Sequence, residues 1–208
     1  MPFIPIIFAL LGLAIGSFLN VVIDRLPAGQ SLASPPSHCP VCQRRLSVGD
    51  LIPVFSFIWL RGRCRTCEAK IPLRILWVEM ATGVAFGLLA WWLGLEPELA
   101  VALFYFCLML SIAVIDLERG LILNVLVYPA IVIGLLLSLV VTLTGYDLSV
   151  VPVLTRAAGG GALGFVIFLL IALLSRGGMG WGDVKMAALL GVMLGFPMVL
   201  VGIFLAIL

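Results

Sequence analysis

Six long apolar runs separated by polar stretches set the pattern of the chain: residues 3–23, 75–95, 99–115, 121–144, 157–174 and 186–208. Each is close to the roughly 20 residues that an α-helix needs to cross a hydrocarbon core about 30 Å thick. The pattern predicts an all-α polytopic membrane protein of about six transmembrane helices. The first run is no cleavable signal peptide, because no Lys or Arg precedes it and polar Asn20 interrupts its end. One polar stretch is long. The predicted organisation is a first transmembrane helix at 1–24, a polar segment at 25–74, and a membrane domain of five helices at 75–208.

Composition sharpens this picture. The chain is 63% hydrophobic and 11% charged, with a mean hydropathy of +1.30. Soluble domains carry about a quarter charged residues, so that class is excluded. The net charge of +2 says little; its placement says more. Eight of the twelve basic residues lie between the first two runs: Arg25, Arg44, Arg45, Arg61, Arg63, Arg65, Lys70 and Arg74. The positive-inside rule puts that segment in the cytoplasm and the N-terminus outside. "DLERG" (116–120) and "RGGMGWGDVK" (176–185) bring Arg119, Arg176 and Lys185 to the same side, whereas "GLEPE" (94–98) and "TGYDLSVVP" (144–152) carry no basic residue. Arg156 alone dissents, at a span end where a long side chain snorkels to the headgroups. Asp116 and Asp183 are thereby expected on one face of the membrane. Lipid is the expected surrounding partner, and nucleic acid is not expected.

The polar segment holds "CPVC" (39–42) and "CRTC" (64–67), so Cys39, Cys42, Cys64 and Cys67 form two C-x-x-C pairs with 21 residues between them. Each pair can grip a metal from one tight turn, and two pairs complete a tetrahedral thiolate shell of zinc-ribbon type. Structural zinc is expected, because disulfides are disfavoured in a reducing compartment; disulfides or an empty site are the alternatives. A shell of four cysteines is closed to substrate, so the role assigned to it is folding rather than chemistry. His38 is expected to stand aside, and Cys107, within "FYFCLML", reads as a small buried apolar residue.

Ionisable residues at the rim of membrane spans are rare and costly. Asp116 closes "SIAVIDLERG" and Asp183 opens "GWGDVKMAALL" beside Gly178, Gly180 and Gly182. Singly, each has an ordinary reading: a helix-end charge for Asp116, a helix N-cap for Asp183. As a pair they suit hydrolysis, since two close carboxylates share one proton. The ionised member then takes a proton from water while the other polarises a carbonyl. The three glycines would let a substrate backbone pass close to Asp183. No rival set stands out. His38 is the sole histidine, which leaves a Ser-His-Asp triad without a base. "GGG" (159–161) lacks the Lys-Ser/Thr of a phosphate loop and reads as close helix packing.

Four stretches together resemble the type IV prepilin peptidases, also called leader peptidase/N-methyltransferases, membrane aspartic proteases of the GxGD class. They are "GSFLNVVIDRLP" (16–27), "CPVC…DLIPVFSFIWLRGRCRTCEAKIPLR" (39–74), "IDLERGLILN" (115–124) and "GMGWGDVKMAALLG" (178–191). The resemblance covers nearly the whole chain. It implies Asp116 and Asp183 as the catalytic pair, the four cysteines as zinc ligands, and a multi-pass protein of the bacterial inner membrane. It also implies prepilin or pseudopilin substrates of pili, type II secretion or DNA uptake, cut on the cytoplasmic side after a glycine. Methylation of the new N-terminus by S-adenosylmethionine is implied by resemblance alone. Three departures stand out. The family's Pro-Asp pair after the first aspartate is Leu123 and Asn124 here; its Arg-Tyr-Pro after the cysteines reads "RIL" (74–76), though Glu79 follows where an acid is usual; and the chain stops at "GIFLAIL", from which a C-terminal truncation is expected.

The leading expectation is therefore an intramembrane aspartic endopeptidase. The alternative from another class is a proton-coupled transporter using the same two aspartates. Against it, both lie at a membrane face, and no repeated pattern of interrupted helices is visible. A zinc-held but inactive scaffold is the third reading.

Overall fold

The computed structural model describes residues 3–144, 152–175 and 178–207. Arg176 and most of the 144–152 loop therefore lie outside the described residues. The elements among them are helices: α1 (Phe3–Arg25), a 3-10 turn (Val48–Leu51), α2 (Phe55–Trp59), α3 (Leu73–Leu93), α4 (Pro97–Arg119), α5 (Asn124–Thr144), α6 (Val153–Leu174), α7 (Trp181–Leu194) and α8 (Met198–Ile207). Five of them (α1, α3, α4, α5 and α6) are long and apolar enough to cross a membrane. The all-helical membrane fold expected from the apolar runs is what the chain adopts.

The sixth run differs. Residues 186–208 do not form one helix: α7 stops at Leu194, and α8 begins at Met198. Gly195 sits at φ +67°, a left-handed conformation that costs glycine little. Pro197 two residues later has no N–H to continue an α-helical ladder. The Phe196 amide instead donates to the Arg156 carbonyl at 2.9 Å, tying the break to the start of α6.

The chain divides into two compact units, Met1–Arg119 and Gly120–Leu208. In the first, α1 lies along α3 through two small-residue pairs spaced four apart. A methyl at Gly12 would sit 2.6 Å from the Thr82 carbonyl oxygen, and one at Gly83 would sit 2.6 Å from Leu13. Gly16 meets Glu79, and Gly87 meets Ala9. Small residues at this spacing let membrane helices approach until backbones touch, which supplies the packing that lipid exclusion does not. α4 completes the unit and buries Ser111, Ile112 and Ile115. One end of the three helices is pinned by charge: Arg74 of α3 pairs with Asp24 of α1 at 2.7 Å and with Glu118 of α4 at 3.3 Å. The end of α1, the start of α3 and the end of α4 thus share one end of the unit. The polar segment leaves and re-enters there, and Asp116 lies there too.

Two buried polar groups tie this unit together, Asn20 joining α1 to α3 and Glu79 joining α3 to the polar segment. Asn20 Nδ2 donates to the carbonyls of Gly16 and Ile75, both at 3.2 Å. Glu79, 4% exposed, accepts the Val54 amide at 2.7 Å. Val54 needs that anchor, because it holds φ +61°, ψ −49° just before α2, a conformation unfavourable for a β-branched side chain.

The second unit is built on α6 and α7. Cβ atoms at Gly160 and Gly164 would collide with the carbonyl oxygens of Gly191 and Ala187, so the "GGG" stretch serves close helix packing. Val127, Val184, Leu189 and Val199 fill the core where α5 and α8 join. Gly160→Val is expected to force α6 from α7 and to destabilise the unit by about 1–3 kcal/mol, the usual cost of overpacking. Gly159, with open space where its Cβ would be, is the control. Gly159→Ala should leave thermal unfolding in detergent unchanged or slightly raised.

Candidate active site and metal centre

The four cysteines are brought together. Their Sγ atoms all lie within 4.8 Å of one another, with Cys39–Cys67 at 3.7 Å and Cys42–Cys64 at 4.0 Å. A tetrahedral thiolate shell with metal–sulfur bonds of about 2.3 Å has edges of about 3.8 Å. A disulfide needs sulfurs about 2.05 Å apart, so neither close pair is bonded. The donor set and its spacing fit a metal ion. His38 stands outside the set, its Nδ1 3.0 Å from the Pro36 carbonyl.

Local sequence explains the cluster through a repeat offset by 25 residues. The amide of Cys39 donates to the Arg44 carbonyl at 2.9 Å, and that of Cys64 to the Ala69 carbonyl at 2.8 Å. Gln43 and Glu68, each directly after the second cysteine of its pair, turn the chain at φ +57° and +55°. Antiparallel bridges close both turns, His38 with Arg45 and Arg63 with Lys70. Within each turn, amides face the first sulfur. The N–H groups of Cys67 and Thr66 bring the Cys64 thiol down to about 6, and those of Cys42 and Val41 lower Cys39. At Cys67 the Ala69 amide favours the thiolate, yet burial and the three neighbouring sulfurs outweigh it and push the thiol up to about 11. Crowded sulfurs of this kind are what a cation relieves.

Asp50, which the sequence does not advertise, braces both turns. Its carboxylate accepts from Arg44 at 2.7 Å and from the Ser47 hydroxyl at 2.8 Å, and pairs with Arg65 at 3.0 Å. Burial opposes its charge, but the Ser47 amide and hydroxyl and the Arg44 guanidinium prevail and hold it below the usual carboxylate range.

Asp116 belongs to the first unit and Asp183 to the second. Asp116 is exposed in the last turn of α4, directly after buried Ile115. Among the described residues it has no hydrogen-bond or ion-pair partner, while nearby Glu118 is paired with Arg74. A carboxylate at a helix C-terminus opposes the dipole there, so Asp116 does not stabilise its helix. Asp183 is different. It is the third residue of α7, whose N-cap is Gly180 rather than Asp183, and its Oδ2 reaches back to accept the Gly180 amide at 3.2 Å. That bond engages one carboxylate oxygen. A Cβ at Gly180 would lie 3.6 Å from the same Oδ2, and one at Gly182 would press on Ile122 at 3.0 Å. A Cβ at Gly178 would meet only Ser175, so of the three glycines Gly180 alone borders the Asp183 carboxylate. Asn124 accepts from Lys185 Nζ at 2.8 Å, and that ammonium lies 5.5 Å from the centre of the Tyr128 ring.

The described residues hold no strand with a glycine-rich loop after it. A cleft of about 270 Å³ in the first unit is lined by Ala14, Ser17, Phe18, Val21, Ser37, Leu51 and Pro53, none of them charged. It does not fit a cationic sulfonium ligand with a carboxylate and a ribose to bind, and no residue is assigned to one.

The fold and cysteine cluster define a multi-pass helical membrane protein with a metal-type module set between its first two spans. The pattern of the bacterial peptidase A24 N-terminal domain matches residues 10–93, and that of the type IV leader peptidase family matches residues 103–208. The chain is 37% identical to a prepilin leader peptidase/N-methyltransferase of Dickeya chrysanthemi over 90% of this chain and 73% of the relative. Proteins of the same name from Bacillus subtilis and Neisseria gonorrhoeae are 31% and 32% identical, covering 97% and 98% of this chain and 78% of each relative. No solved structure matches it. The chain belongs to the type IV leader peptidase family, as the four motifs led one to expect.

Proposed function

We propose that this protein is an intramembrane aspartic endopeptidase that removes the leader of type IV prepilins or pseudopilins. The cut falls after a glycine, at the cytoplasmic face of the bacterial inner membrane. The observation that carries the reading is Asp116: an exposed carboxylate without a partner among the described residues, set against the helix dipole within the match to the peptidase family. Asp183, in the same matched region, is the second carboxylate of the proposed pair.

In the proposed reaction one carboxylate removes a proton from water, and the oxygen of that water bonds to the scissile carbonyl carbon. The protonated partner donates a hydrogen bond to the carbonyl oxygen and later a proton to the departing amine. The C–N bond breaks, and the protons return to the pair and the new termini. Both aspartates lie at helix ends rather than mid-span, which argues against the transporter alternative. The metal cluster, with zinc as the ion that best suits four thiolates in a tetrahedron, folds the segment between α1 and α3 and takes no part in the chemistry. Methylation of the released N-terminus by S-adenosylmethionine is the second activity proposed, on the strength of the relatives' names.

The test is incubation of the purified chain in liposomes with a purified prepilin, followed by mass spectrometry of the product. Cleavage after the leader glycine is expected, with a further methyl mass only when S-adenosylmethionine is present. Intact prepilin after prolonged incubation refutes the peptidase reading; cleavage without a methyl mass refutes only the second activity.

A further inference from the structure

The stretch "LIPVFSFIWL" (51–60) is ten residues without a charge inside the otherwise polar segment. An apolar run of that length is too short to span a bilayer and suits an interfacial element. Its side chains are not used to build a core. Phe55, Ile58 and Trp59 are 56%, 66% and 72% exposed, and the rings of Phe55 and Trp59 stack on one face of α2 with centroids 5.8 Å apart. Phe57 turns the other way, onto Gly62.

The position of this face is set by contacts within the first unit. Glu79, which holds the Val54 amide, is six residues into α3, or about 9 Å along the helix from its start at Leu73. Leu51 and Pro53 line a cleft with Ala14, Ser17, Phe18 and Val21 of α1. Those residues lie four to eleven positions before Arg25, or about 6–16 Å back along the span. The stretch thus folds back beside the two spanning helices instead of projecting away from their ends. Directly after it come Arg61 and Arg63, both exposed. Aromatic side chains followed by basic ones, at the depth of a span's end, match the headgroup boundary: apolar rings among acyl carbons, guanidinium groups among phosphates.

We infer that residues 51–60 are a membrane-inserted wedge, in which Phe55, Ile58 and Trp59 of α2 enter the lipid leaflet on the cysteine side. Glu79 is the latch that fixes their depth. The cysteine module is then clamped to the bilayer surface rather than free to swing on its two tethers.

The experiment uses the full chain in vesicles of phosphatidylcholine and phosphatidylglycerol, with Trp59 as the reporter. Trp77, Trp91, Trp92 and Trp181 are replaced by Phe, and emission is quenched either by lipids brominated near the headgroup end of the acyl chain or by aqueous iodide. Bromolipid is expected to quench Trp59 several-fold more strongly than iodide does. Strong quenching by iodide places the face in water and overturns the inference. Quenching by neither means that protein, this chain or a partner, covers the face, and overturns it equally. Should the fourfold replacement fail to fold, the same comparison is read as the difference between the native chain and Trp59→Phe alone. The readout involves no cleavage, so its failure is distinct from failure of the peptidase reading.

Discussion

Asp116→Asn and Asp183→Asn, introduced singly, are each expected to lower leader cleavage by about a thousandfold or more, within or above the range of a lost acid–base group. The choice of asparagine separates catalysis from the ordinary structural roles. At residue 183 the amide oxygen of Asn can still accept the Gly180 N–H, so the bond to the N-cap survives the substitution. If capping is all that Asp183 does, cleavage stays near its original rate. At residue 116 the sign of the stability change is informative. Removing a negative charge from the end of α4 relieves repulsion from the dipole and should stabilise that helix by about 0.3–1 kcal/mol. A variant that unfolds no more easily but does not cut shows that the charge is kept for the reaction. The measurement is the initial rate of prepilin cleavage in liposomes, alongside thermal unfolding of each variant. A single variant that cuts at full rate removes that aspartate from the mechanism.

Much of this protein was legible in its apolar runs, because a membrane span declares itself by length and composition alone. The five long helices follow the expected runs closely. The sixth run misled for a physical reason: hydropathy does not register backbone. Gly195 and Pro197 interrupt it without making it less apolar, and the helix breaks there. The cysteine cluster was legible as a ligand set, since C-x-x-C spacing fixes local geometry. Its internal repeat, Cys39 to Arg45 against Cys64 to Lys70, was not read from the sequence, because only the folded chain shows the residue after each second cysteine turning left-handed. Asp50, the Glu79–Val54 latch and the Lys185–Asn124 bond were not legible. Each joins residues whose proximity only the folded chain creates, and no local pattern marks an acid as a brace rather than as one more surface charge. Gly160, by contrast, was readable as packing from small-residue spacing, though not the helix it would meet.

Cys64→Ser is expected to abolish stoichiometric metal binding and to unfold the segment between α1 and α3 while the spanning helices persist. The segment has few means of holding itself together without an ion. Among its four sulfur ligands only Cys39 and Cys64 are buried. Its hydrogen bonds are turns and isolated bridges rather than a ladder. Four-ligand zinc sites supply about 10–16 kcal/mol of apparent binding free energy, which in small modules is folding free energy. Three thiolates and a serine hydroxyl retain a small part of it. Cys64 is an informative choice because the amides of Cys67 and Thr66 bring its thiol down to about 6; serine offers those amides a neutral oxygen instead. Cys107→Ser, outside the cluster, is the control and should bind metal normally. Elemental analysis of the purified variants, with limited proteolysis in liposomes, reads both effects. Cutting should concentrate within residues 26–72, where the control stays resistant. Unchanged metal content in Cys64→Ser would show that the four sulfurs do not form one shell. Lost metal with a still-resistant segment would show instead that Asp50, with Arg44 and Arg65, holds the fold by itself.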